Sequence, residues 1–278
     1  GEIGRLEISR NGVVMRSQMP VPVHYGNQQL RLDALRMVGD QVDLSTSGTI
    51  RTSADPAMNL RATGTIDLAL LSRLDPLVAT QGKAELDAQI TGTFRRPLWR
   101  GRLSVRNASA QFGRLANSLS AIQGTIVFDG TRGELQGVRA ESGGGEVLVT
   151  GGLRYGDGSG LQFNLNGTVR NVRIRYPEAL STWIDGQLNW VGSVRSSLLE
   201  GRITINRHSI APPNDLAQVL FSRRKSTVQQ TSSPFLQNLR LNLNVSTAPE
   251  VRLDTRTARN LQTAFDVRIQ GTGAQPAI

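Results

Sequence analysis

The chain has 278 residues, of which 38% are apolar and 5% aromatic, with 29 glycines, no cysteine and a formal charge of +10. The missing cysteine excludes disulfides and thiolate metal sites, and no apolar run approaches the ~20 residues that a membrane-spanning helix requires. Few aromatics and many glycines fit an all-β chain with many turns and one solvated face per strand.

The charge rests almost wholly on arginine, since Lys83 and Lys225 are the only lysines. Such a surface suits lipid phosphate or an anionic membrane, and the same bias arises in a GC-rich genome. Nucleic acid fits poorly, because the arginines are scattered along strand-like runs with few aromatics and no binding motif among them. No signal peptide is recognisable, and the chain begins directly in strand-like sequence. The stretch is therefore expected to be soluble and to come from a longer protein.

In chain order, QVDLSTSG (41–48) alternates so that Val42, Leu44 and Thr46 share a face. SADPAM (53–58) turns the chain at Asp55-Pro56. IDLALLSRLDPLVAT (66–80) has room for a turn or two of helix before Pro76 interrupts it. AELDAQITG (84–92) returns to alternation with Leu86, Ala88 and Ile90. FDGTRGE (128–134) and YGDGSG (155–160) are turns, and between them GEVLVTG (145–151) presents Val147 and Val149. GLQFNLNG (160–167) then presents Leu161, Phe163 and Leu165.

The second helix signal is NDLAQVLFS (214–222), with Leu216, Val219 and Leu220 at helical spacing and Asn214 as cap. Residues 223–234, RRKSTVQQTSSP, are polar and aperiodic and read as a mobile loop. In LQNLRLNLNV (236–245), Leu239, Leu241, Leu243 and Val245 point one way and Arg240, Asn242 and Asn244 the other. FDVRIQG (265–271) repeats the pattern with Phe265, Val267 and Ile269. Alternation over such short runs marks half-buried strands.

The glycines recur in order. Gly48 and Gly64 stand 16 apart, as do Gly151 and Gly167, while Gly92 and Gly101 stand 9 apart, as do Gly192 and Gly201. GTFRRPLWRGRLSV from Gly92 matches GSVRSSLLEGRITI from Gly192 in kind. An internal duplication follows, with repeats at about 42–103 and 145–205 and a partial third at 236–278. A sheet with one apolar face can cover it in a sandwich, by closing into a barrel, or by curling into an open trough that something else fills. Repeated units favour an extended structure.

Catalysis is not expected. His24 and His208 are far apart and lack carboxylates at ligand spacing. GDGSG is off the nucleophile-elbow pattern by one position, and ESGGGEVL (141–148) lacks the Lys-Ser/Thr of a phosphate loop. Asp129, Asp157 and Asp185 each precede glycine and read as turn residues. Trp99, Trp183 and Trp190 read as core or rim anchors, and Arg95, Arg96, Arg100, Arg102 and Arg106 cluster near one turn.

LSAIQGTIVFDGTRGELQGVRAESGGGEVLVTGGLRY (119–155) and VRNVRIRYPEALSTWIDGQLNWVGSVRSSLLEGRITI (169–205) resemble the TamB family, the large subunit of the translocation and assembly module of diderm bacteria. SSPFLQNLRLNLNVSTAPEVRLDTRTARNLQTAFDVRIQGTGAQP (232–276) is similar to the stretch that follows in that family. The resemblance implies an elongated, curled antiparallel sheet, a β-taco, forming one β-groove segment over 1–278 with one or two short helices. It implies a periplasmic protein held at the inner membrane by an anchor outside this stretch. It also implies a TamA-type outer-membrane barrel as partner, and work in outer-membrane protein assembly or phospholipid transport. No cofactor is implied.

In that groove, Val42, Leu44, Leu86, Ile90, Val147, Val149, Leu161, Phe163, Leu165, Leu241, Leu243, Val245, Phe265, Val267 and Ile269 are the candidates to meet acyl chains. Arg95, Arg96 and Arg100 are candidates for the lipid phosphate at the rim. The competing reading is a structural solenoid, sandwich spacer or adhesin module with a dry core and no ligand.

Overall fold

Period-two sequence becomes strand through most of the chain. A computed structural model describes residues 1–10, 13–53, 56–73, 77–113, 117–156, 160–175, 180–210, 234–249, 251–253, 261–262 and 264–277. They are nearly all β, with one mostly antiparallel open sheet of 18 strands, a separate two-stranded ladder and two short helices. The strands are β1 (Glu2–Ile3), β2 (Glu7–Arg10), β3 (Val13–Ser17), β4 (Val21–Gly26), β5 (Gln29–Gly39), β6 (Val42–Arg51) and β7 (Ala57–Asp67). There follow β8 (Val78–Thr93), β9 (Pro97–Phe112), β10 (Leu119–Gly130), β11 (Arg132–Ser142), β12 (Gly145–Arg154), β13 (Gln162–Arg175), β14 (Leu180–Ser193) and β15 (Ser196–Ile210). The last are β16 (Leu239–Thr247), β17 (Arg252–Leu253), β18 (Leu261–Gln262), β19 (Asp266–Gly271) and β20 (Pro276–Ala277).

Contacts divide the chain into two compact units. Unit 1 comprises Gly1–Ala110, Ala121–Val138 and Gly151–Gln162, and unit 2 comprises Gln111–Ser120, Arg139–Thr150 and Phe163–Ile278.

In unit 1, β4 to β8 form an antiparallel meander. β4 and β5 are joined by Asn27 and Gln28, both at positive φ (52° and 57°). Two such residues make the tight turn whose twist matches that of paired strands. One edge of β5 serves two neighbours, because Gln29–Leu32 pair with β4 while Met37 and Val38 pair with β3. A 3₁₀ helix, Leu68–Arg73, links β7 to β8 where the sequence leaves room for a helical turn. The Asp67 carboxylate accepts the Ala69 amide at 2.8 Å and caps it. The core clusters on one face, with Val21, Leu32, Leu35 and Met37 in one group and Ala62, Leu86 and Ala88 in another.

In unit 2, β14 and β15 form a hairpin. The expectation of antiparallel pairing fails at the next step, because β15 and β16 are parallel. A parallel partner needs a connection of a dozen residues or more, and residues 211–238 supply it. α1 (Pro234–Asn238) ends that connection and leads straight into β16. The helix expected at 214–222 lies outside the described residues, as does the loop expected at 223–234 except for Pro234, which begins α1. β16 then pairs antiparallel with β19, and β19 with β20.

Candidate functional site

Register shows what each face carries, because residues directly opposite one another point to the same side. Across β6, β7 and β8 of unit 1 the rows read Val42–Ile66–Ala84, Leu44–Gly64–Leu86, Thr46–Ala62–Ala88, Gly48–Leu60–Ile90 and Ile50–Met58–Gly92. β5 extends them with Leu30, Leu32, Leu35, Met37 and Gly39. Thr46 is the lone polar side chain in these rows. The opposite face reads Asp43–Thr65–Glu85, Ser45–Thr63–Asp87, Ser47–Arg61–Gln89 and Thr49–Asn59–Thr91.

Unit 2 repeats the division. Its apolar rows are Gly186–Ile203–Val245–Val267, Leu188–Gly201–Leu243–Ile269 and Trp190–Leu199–Leu241. The reverse side carries Gln187–Arg202–Asn244–Arg268 and Asn189–Glu200–Asn242. β13 follows suit, since Phe163 packs on Trp190 at 4.6 Å while Asn164 and Asn166 accept hydrogen bonds from the Asn189 amide. Leu165 lies between those two asparagines and so shares the Phe163 side.

The apolar rows are covered unevenly. Val42, Leu86, Phe163 and Leu243 are buried, whereas Leu44, Leu60, Ile90, Leu165, Leu199, Leu241, Val245, Val267 and Ile269 are half-buried. Among the described residues, the only large side chains below 2% exposure are Val21 and Val251. Six of the buried apolar residues are alanines: Ala62, Ala84, Ala88, Ala108, Ala110 and Ala140. Half-buried aliphatic groups over small buried residues leave part of the apolar area of these rows exposed among the described residues.

The hydrophilic side is internally paired. Arg36 donates two hydrogen bonds to Asp43 (2.9 and 2.8 Å), Arg61 pairs with Asp87 at 3.2 Å, and the Gln89 amide donates to Asn59 at 2.8 Å. The Arg36 guanidinium lowers the Asp43 pKa through that bond. Cavities of about 1030 Å³ in unit 1 and about 540 Å³ in unit 2 open on this side, over the backbone of Gly101 and of Gly201. In the first lining Arg61 is bonded to Asp87 and Gln89 to Asn59, and in the second Arg268 is bonded to Asn242 and Asn189 to Asn166. They are hydrophilic depressions, distinct from the apolar rows.

The expected residues fall into place by unit. Val42, Leu44, Leu86 and Ile90 share one face of unit 1, and Leu241, Leu243, Val245, Val267 and Ile269 share one face of unit 2. Val147 and Val149 are half-buried on β12. Leu161 and Phe265 stand just before β13 and β19 and stay 43% and 39% exposed, the Phe265 ring 6.3 Å from His208. Arg95 and Arg96 lie exposed in the β8–β9 turn, and Arg100 sits on the hydrophilic side, 3.4 Å from Asp129.

Sequence reasoning passed over Met58, Leu60 and Ile66, although AMNLRATGTID alternates as cleanly as its neighbours. It also passed over Leu32 and Leu35, which a bulge puts out of phase. Trp183 is not in the apolar rows. Its ring lies between the guanidiniums of Arg207 (3.8 Å) and Arg173 (4.9 Å).

Asp129 is the penultimate residue of β10, next to Gly130 at φ 69°, but Asp185 is mid-strand in β14 and accepts the Asn171 amide at 2.7 Å. The turn reading of Asp185 is therefore corrected, and Asp157 lies outside the described residues. His24 faces Asp33 at 3.1 Å. Among the described residues no group of three or more His, Cys, Asp or Glu could hold a metal ion.

Residues 136–278 match a family model described as TamB C-terminal domain. No curated protein and no solved structure matches the chain.

Proposed function

Because the chain belongs to the TamB C-terminal domain family, we propose that its half-buried apolar rows hold acyl chains, as one segment of a conduit between inner and outer membranes. The family works in the bacterial cell envelope with the translocation and assembly module, which serves outer-membrane biogenesis, and TamA is its general partner. It is generally non-enzymatic.

The observation that carries the lipid reading is the register. Each unit has rows of aliphatic side chains running across successive strands, half open, with charged and amide groups confined to the other side. A two-chain phospholipid has on the order of 30 methylenes, each worth about 0.8 kcal/mol when removed from water. Crossing an aqueous gap unprotected is therefore prohibitive, and a continuous aliphatic lining removes most of that cost. On this reading the full-length protein is periplasmic and anchored in the inner membrane.

Native purification followed by solvent extraction and mass spectrometry tests the proposal. Co-purified phospholipid, and saturable uptake of a fluorescent fatty acid, are the expected results. A lipid-free protein that takes up no probe would make this segment a structural spacer.

A further inference from the structure

We propose that the end of unit 1 at the β8–β9 turn is a docking surface for an anionic phospholipid bilayer, made by Phe94 and the arginines beside it. Phe94, Arg95 and Arg96 join the two strands and are all exposed, Phe94 to 61%. The Arg96 amide donates to the Thr93 carbonyl at 3.1 Å and to Thr93 Oγ1 at 3.1 Å. The turn is thereby closed on its own backbone, and the ring is left standing outside it. Leu98, at the start of β9, adds a 41% exposed aliphatic group.

Register brings further groups to this end. Thr93 is opposite Ala57, Ala57 opposite Arg51, and Arg51 opposite Gln29. Tyr25, 69% exposed, reaches the same end, its hydroxyl 3.5 Å from Thr52 Oγ1.

The charge is unbalanced where it matters. TFRRPLWR (93–100) holds three arginines and no acid. Arg36, Arg61 and Arg100 each hold a carboxylate, but Arg95 and Arg96 have no ion-pair partner among the described residues. A protruding aromatic ring flanked by bare guanidiniums matches the chemistry of a bilayer surface, where rings settle at the headgroup level and arginines meet phosphate. A protein partner would need an area on the order of 800 Å², far more than a three-residue turn presents. The site is separate from the apolar rows and stands whether or not those rows bind acyl chains.

Co-sedimentation of the 278-residue chain with vesicles of phosphatidylglycerol and phosphatidylethanolamine, against pure phosphatidylcholine vesicles, tests this. The chain should prefer the anionic vesicles and release them as salt rises. Replacing Arg95 and Arg96 together by Ala should weaken binding about thirtyfold, and Phe94→Ser should weaken it as well. Leu71→Ser, at an exposed site in the 3₁₀ helix, should change nothing. No preference for anionic vesicles, turn variants that sediment like the wild type, or an equal loss in Leu71→Ser would each overturn the proposal. Fatty-acid uptake by the same variants reports on the apolar rows alone, so either proposal can fail without the other.

Discussion

Gly201 sits inside β15 at φ +148°, and a Cβ built there would lie 2.1 Å from the Gln187 carbonyl oxygen. That conformation is essentially closed to other residues, so Gly201→Ala should cost about 2–4 kcal/mol, read as a lower urea midpoint. Gly167→Ala is the control, because its nearest neighbour is the Leu188 Cβ at 3.8 Å; it should lose well under about 1 kcal/mol. His208 is a second single-residue test. Its ring bonds Thr182 Oγ1 at 3.1 Å, lies beside Phe265, and burial pushes its pKa below the usual value. The fold therefore favours the neutral ring, and the unfolded chain takes up the proton first as pH falls. His208's contribution is complete above about pH 6.5 and is lost as pH drops through the folded-state value. Thermal melts should fall over that window in the wild type and fall less in His208→Asn.

Strands are where the sequence was most readable. Alternation in QVDLSTSG and AELDAQITG located β6 and β8 and their apolar sides, because period two leaves only two choices of face. Bulges defeat the same logic. Leu30 and Leu32 are in phase, but the irregularity between Leu32 and Leu35 moves the apolar set to Leu35 and Met37, so no single alternation runs through β5. The break between Trp183 and Ile184, opposite Asn206, hides the end of β15 in the same way. The parallel step from β15 to β16 was illegible for another reason: strand periodicity says nothing about direction, and only the length of 211–238 permits it. The β4–β5 turn was missed because Asn-Gln is not the usual Asn-Gly of such hairpins. It yields a prediction: Gln28 holds φ 57°, so Gln28→Gly should stabilise the hairpin by about 1 kcal/mol, measured by urea unfolding.

At the scale of the molecule, the internal duplication is a proposal drawn from glycine spacing, and one of its glycine pairs can be compared in three dimensions. Gly101 and Gly201 hold φ of +143° and +148°, and their closest neighbours are the carbonyls of Asp87 and Gln187, residues separated by the same interval as the glycines. The family match begins at residue 136, so it spans the second proposed repeat and not the first. Equivalent faces in both units then predict equivalent behaviour toward acyl chains. A charge planted on such a face should obstruct passing lipid, because an unpaired charge met by hydrocarbon costs several kcal/mol even after relaxation. Leu165 is the position to change: it is half-buried, so an arginine there can reach solvent without unfolding the sheet, and it shares the Phe163 side. Asn164, exposed on the reverse side, is the control. In cells that depend on the full-length protein, Leu165→Arg should weaken the outer-membrane barrier to detergents and large antibiotics, and Asn164→Arg should not. Protein levels and melting temperatures must match first, since unfolding would imitate a block. If a folded Leu165→Arg variant supports the barrier as well as Asn164→Arg does, acyl chains do not travel along this face.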